Sequence, residues 1–140
     1  MRKAIFAGSF DPVHKGHIQI ITKASQLFDE LHVVVANNHL KTNQNNIEDR
    51  LKIMRKNKFP SNVFITYVNE KYIGTFAKEM NIKYLVRSAR NNIDFNYELD
   101  MAKLNREINN NLETVLIIPD YEDIIYSSST FKDFVIKDNK

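Results

Sequence analysis

Apolar residues come in dense short runs separated by longer mixed stretches. The runs over residues 3–7, 31–36, 62–68, 84–86 and 114–118 predict strands. That over 31–36 is so rich in β-branched residues that it reads as a buried parallel strand. The mixed stretches predict helices over residues 16–28, 47–56, 73–80, 93–108 and 130–135. Asn46 suits the N-cap of the second, with Asp49 placed for a capping box. The helix over 93–108 carries apolar Phe95, Leu99, Met101, Ala102, Leu104 and Ile108, and Pro119 stops the last strand.

Strands alternating with helices predict an α/β fold: a doubly wound, five-stranded parallel sheet of Rossmann-like type. Such sheets bind ligands beyond the carboxyl ends of their strands, near a topological switch point. His14, His17, residues 37–41, Arg87, Arg90 and residues 127–129 all follow strand ends, so one sheet edge should gather them.

At 140 residues the chain is expected to form one domain, residues 1–140, with a proper core. There is no cysteine, hence no disulfide or thiolate chemistry. No run is long enough to span a membrane, and Met1-Arg2-Lys3 leads straight into a strand without a signal sequence, so a cytoplasmic protein is expected. The net charge of +3 favours anionic ligands. Acidic residues are interspersed with the basic ones, and no RRM, KH or zinc-finger signature supports nucleic-acid binding.

The richest chemistry lies in the stretch Gly8-Ser9-Phe10-Asp11-Pro12-Val13-His14-Lys15-Gly16-His17. Gly8 is expected to leave the first strand with unusual φ/ψ and to make room for a ligand near the backbone. The helix start beside His14 and His17 offers N–H groups and a positive dipole end, which suits phosphate. A metal site would need a third ligand, and the other histidines are only His32, within a strand, and His39. Lys41, Arg87 and Arg90 add cations to the same edge. Arg87 and Arg90 could instead pair with Asp94 or Glu98 on the following helix. Ser127, Ser128 and Ser129 add hydroxyls at a helix start.

The string from Gly8 to His17 resembles the HxGH signature of a nucleotidyltransferase superfamily. Ile47-Glu48-Asp49-Arg50, Arg87 to Arg90, Asp94-Phe95-Asn96-Tyr97-Glu98, Leu104-Asn105-Arg106 and Tyr126-Ser127-Ser128-Ser129 with Lys132 narrow this to the bacterial phosphopantetheine adenylyltransferase family. The resemblance implies transfer of AMP from ATP to 4′-phosphopantetheine, giving dephospho-coenzyme A and pyrophosphate, with Mg²⁺ carried by the ATP. It implies catalytic roles for His17, Lys41 and Arg87. Ser9, Phe10, His17, Ser88, Ala89, Arg90, Glu98, Asp123, Ile124, Ile125, Tyr126, Ser127, Ser128 and Ser129 would contact ATP. Ser9, Lys41, Ile73, Arg87, Met101 and Asn105 would hold the acceptor. His14 stands at a more variable position, where the family also uses Thr, and Ser88 replaces a usual Gly. The family's partners are these two substrates, without nucleic acid or membrane, and its members assemble as homohexamers.

Overall fold

The computed structural model describes residues 1–37 and 44–120. Nine elements follow in order: β1 (Lys3–Gly8), α1 (Lys15–Leu27), β2 (Glu30–Ala36), α2 (Ile47–Arg55), β3 (Val63–Val68), α3 (Ile73–Glu79), β4 (Tyr84–Ser88), α4 (Asn92–Ile108) and β5 (Glu113–Ile117). All strand pairs are parallel and the sheet order is β3-β2-β1-β4-β5, the doubly wound arrangement expected. The helix expected over residues 130–135 lies outside the described residues.

The chain builds outward from β1 through β2 to β3, then crosses to the other side of β1 and lays down β4 and β5. That reversal puts the switch point between β1 and β4. Their ladder ends at Phe6↔Val86, while β4 and β5 stay paired to Ser88↔Ile117. A crevice therefore opens beside Arg87, where β1 turns away toward α1.

Strand periodicity divides the core between the two faces. Ala4 and Phe6 of β1 join Leu31, Val33, Ile20, Ile21 and Met54 in one cluster. Ile5 and Ala7 join Val34, Leu85, Ala77 and Leu112 in the other. Burial on both faces explains why residues 31–36 read as an almost unbroken apolar run.

One sequence expectation changes in detail. Asn46 does cap α2, its side chain accepting the Asp49 N–H at 2.8 Å, but the reciprocal capping box sits at α1. In α4, Phe95, Leu99, Leu104 and Ile108 are exposed, and the buried residue is Glu98. The helix also presents Tyr97, Met101 and Asn105 to an open cavity.

Candidate functional site

Helix α1 starts with a reciprocal cap formed by two histidines. The His14 side chain accepts the Gly16 N–H through Nδ1 at 3.1 Å, and the His14 N–H donates to Nδ1 of His17 at 3.1 Å. The two rings stack with centroids 3.7 Å apart. Gly16 is needed here for space: a Cβ would lie 3.0 Å from His14 Cε1 and 3.1 Å from Nδ1. The helix end thus spends one of its N–H groups on His14, rather than leaving all of them for an anion.

This cap sets the chemistry of His17. Because Nδ1 accepts a hydrogen bond, the neutral ring carries its proton on Nε2 and can donate from there. Its pKa is pushed from 6.5 down to about 4, first by burial, then by His14 and then by Arg87. His17 is therefore a neutral hydrogen-bond donor, not an imidazolium. The ring of Phe10 meets it edge-on, with centroids 4.9 Å apart.

The expectation for Gly8 is corrected. No glycine among the described residues has positive φ; Phe10 takes the left-handed conformation instead, with φ 45°. A Cβ on Gly8 would lie 3.2 Å from the Phe10 ring tip. Gly8 therefore makes room for the buried ring that backs His17, not directly for ligand.

Arg87 enters from the end of β4. Its Nε and Nη2 donate to the two carboxylate oxygens of Glu98 at 2.8 and 3.0 Å, and its Nη1 donates to the Ala7 carbonyl at 3.0 Å. Three of the five guanidinium N–H groups are thereby committed, and the others stay available to ligand. Arg90 pairs with Asp94 at 3.5 Å in a more exposed setting. Both alternative pairings considered from the sequence are therefore present.

Two cavities meet at Arg87 and Tyr97. One, of about 530 Å³, is walled by His14, Gly16, His17, Ser88, Arg90 and Glu98. The other, of about 430 Å³, is walled by Ala36, Asn37, Ile73, Met101 and Asn105. Arg87 and Tyr97 line both. Among the described residues, no group of three or more His, Cys, Asp or Glu could hold a metal ion. None of the described helices is long and apolar enough to cross a membrane.

A cytidylyltransferase-like family model matches residues 5–134. The phosphopantetheine adenylyltransferase of Lactobacillus johnsonii is 39% identical over 137 residues, spanning 96% of this chain and 82% of its own. That of Mycoplasma capricolum is 37% identical over 134 residues, spanning 95% of this chain and 96% of its own. The chain belongs to the phosphopantetheine adenylyltransferase family. The crystal structure of a lipopolysaccharide core biosynthesis protein from Thermoplasma volcanium shares the fold. Its TM-score is 0.61 at 20% identity, covering 86% of this chain and 97% of that one.

Of the positions singled out by likeness to phosphopantetheine adenylyltransferases, the first cavity gathers His17, Ser88, Arg90 and Glu98. The second gathers Ile73, Met101 and Asn105, with Arg87 on the shared wall. Ser9, Phe10 and Ala89 line neither; Phe10 and Ala89 are buried behind them. Lys41 and residues 123–129, from Asp123 through Ile124, Ile125, Tyr126, Ser127 and Ser128 to Ser129, lie outside the described residues. Sequence reasoning missed Tyr97, although a signal was present. Tyr97, Met101 and Asn105 recur every four residues, which places them on one helical stripe.

Proposed function

We propose that this chain is a single-domain adenylyltransferase that moves AMP from ATP to 4′-phosphopantetheine. The observation that carries the reading is the meeting of two cavities at the β1/β4 switch point, with Arg87 on the wall between them. The polar cavity, beside the start of α1 and Arg90, suits a triphosphate. The second cavity, with Ile73 and Met101 beside the Asn105 amide, suits a slender chain with apolar and amide segments.

In this reading an oxygen of the acceptor phosphate attacks the α-phosphorus of ATP. The new P–O bond forms as the bond from that phosphorus to the bridging oxygen breaks, and pyrophosphate leaves. The attacking phosphate is already ionised near neutral pH, so no strong general base is needed. The protein's work is alignment of the two phosphates and stabilisation of the charge that develops between them.

His17 would donate from Nε2 to an α-phosphate oxygen. Its fixed tautomer spares reorientation of the ring during reaction. Arg87 would bind phosphate from the boundary between substrates, with Glu98 holding its guanidinium plane. Lys41 would join Arg87 on the acceptor phosphate, with Ser9 nearby. Phe10 would act by backing His17, while Ser88, Ala89, Arg90 and the stretch from Asp123 to Ser129 would hold the nucleotide. Mg²⁺ belongs to the nucleotide in this reading, the protein works in the cytoplasm, and the assembly is a homo-oligomer.

The test is pyrophosphate release from ATP, with and without 4′-phosphopantetheine, with mass detection of the product. Acceptor-dependent release accompanied by dephospho-coenzyme A is expected. ATP binding with no release in the presence of this acceptor would overturn the assignment.

A further inference from the structure

Arg50 lies outside both cavities, and no step above uses it. Only 1% of it is exposed, and it is the largest side chain among those fully buried. Its contacts join three separate parts of the chain. Nη1 donates to the Ser9 carbonyl at 3.0 Å and the Ala36 carbonyl at 3.1 Å; Nη2 donates to Oδ1 of Asn37; Nε reaches the Asn46 carbonyl at 3.4 Å. One planar group on α2 thus grips the exit of β1, the exit of β2 and its own helix start.

The points it grips adjoin the site. Ala36 and Asn37 line the cavity assigned to the acceptor. The Ser9 carbonyl belongs to the peptide that enters Phe10, the residue held at φ 45° with its ring against His17. A left-handed non-glycine residue persists only where its surroundings fix it. From β4, on the other side of β1, Arg87 holds the Ala7 carbonyl near the end of that strand. Two guanidinium groups therefore clamp the turn that leaves β1, one within the site and one beneath it. Asn45 adds a tie, donating from its backbone and side chain to Asp11 at 2.9 and 2.6 Å.

We infer that Arg50 is a positioning residue, which holds the β1 exit and the β2 exit in fixed relation and so sets the acceptor cavity against His17. A buried residue needed only for stability would affect the whole fold; this role predicts effects confined to two peptide planes and one substrate. Lysine cannot replace it, because a single ammonium nitrogen cannot reproduce the spread of a planar fork.

The experiment uses Arg50→Lys and Asn37→Ala in the full chain. Amide hydrogen exchange should quicken about tenfold or more at Phe10 and Asn37 in Arg50→Lys, and at Asn37 in Asn37→Ala, with Val33, Val34 and Val35 unchanged. In steady-state kinetics both variants should raise the KM for 4′-phosphopantetheine, by about tenfold for Arg50→Lys, with the KM for ATP moving less than about threefold. Uniform acceleration of exchange across the strands, or unchanged exchange at those amides, would overturn the role. So would a kcat that falls only with the folded fraction while both KM values hold. If Arg50→Lys does not fold, the exchange arm of Asn37→Ala decides: unchanged exchange at residue 37 would overturn the role, and its KM is left aside because Asn37 itself lines the acceptor cavity. The kinetic part rests on the proposed reaction. A wild-type protein that transfers nothing to this acceptor would refute that reaction, and the exchange data would still decide on Arg50.

Discussion

Replacing His17 separates its two jobs, closing the start of α1 and facing the polar cavity. In His17→Ala the His14 N–H loses its acceptor, a loss of about 1 kcal/mol for a cap. Ring contacts with His14 and Phe10 also go, each worth about 0.5–1.5 kcal/mol. Stability should fall by about 2–4 kcal/mol, which lowers Tm by roughly 10 °C in a domain of this size. His17→Gln keeps an acceptor at the third helical position, where Gln favours a capping box, and should recover about 1 kcal/mol. His17→Ala has no N–H where Nε2 stands, whereas the Gln carboxamide keeps an N–H donor that only partly matches its place. Loss of one preorganised donor should lower kcat by about 100- to 1,000-fold in His17→Ala, and by less in His17→Gln. The assay is acceptor-dependent pyrophosphate release at a temperature where circular dichroism shows each variant folded. A His17→Ala protein, folded at the assay temperature, with near-normal kcat would refute the donor role. NMR titration of the free wild-type protein should show the His17 ring titrating near pH 4; a midpoint near 6.5 would refute the neutral-donor state.

Arg90→Ala should raise the KM for ATP about tenfold, with little change in Tm because its pairing with Asp94 is exposed; unchanged ATP kinetics would count against its place on the triphosphate. Gly16→Ala should push the His14 ring off its cap and lower kcat about tenfold, while Tm stays nearly constant as better helix propensity offsets the lost cap; parallel kinetics and thermal melts check this. Acid should weaken the fold through His17. Between pH 6.5 and about 4 the unfolded chain binds the His17 proton and the folded chain does not, so stability falls as pH drops through that window. After allowance for the solvent reaching this half-buried ring, the loss is about 1–2 kcal/mol. Urea titrations of the wild type and His17→Gln at pH 7 and pH 4.5 should show a smaller acid loss in the variant.

The order of elements was readable because strands buried on both faces need dense apolar runs, and Leu31 to Ala36 supplies one. The edge on which His17, Arg87 and Arg90 meet was readable too, since it follows from where strands end. Side-chain geometry within the site was not. A Gly after a strand can serve an unusual φ or a close neighbour, and only the structure places the Phe10 ring over Gly8. Histidine is not among the usual capping residues, so the cap at α1 carried no familiar signal. Arg50 sat in view within a quoted motif. Its contacts run to backbone carbonyls and one amide, partners that side-chain pattern does not display.

The cap at α1 also shows what the side chain at position 14 must supply. What steadies the His17 ring is the main-chain N–H of residue 14, which every amino acid except proline provides. The side chain at 14 owes the helix only an acceptor for the Gly16 N–H, a duty that a threonine hydroxyl or an asparagine amide can discharge. The tautomer of the functional ring is thus dictated by the polypeptide backbone, and it would survive exchange of the neighbouring imidazole for another short polar residue.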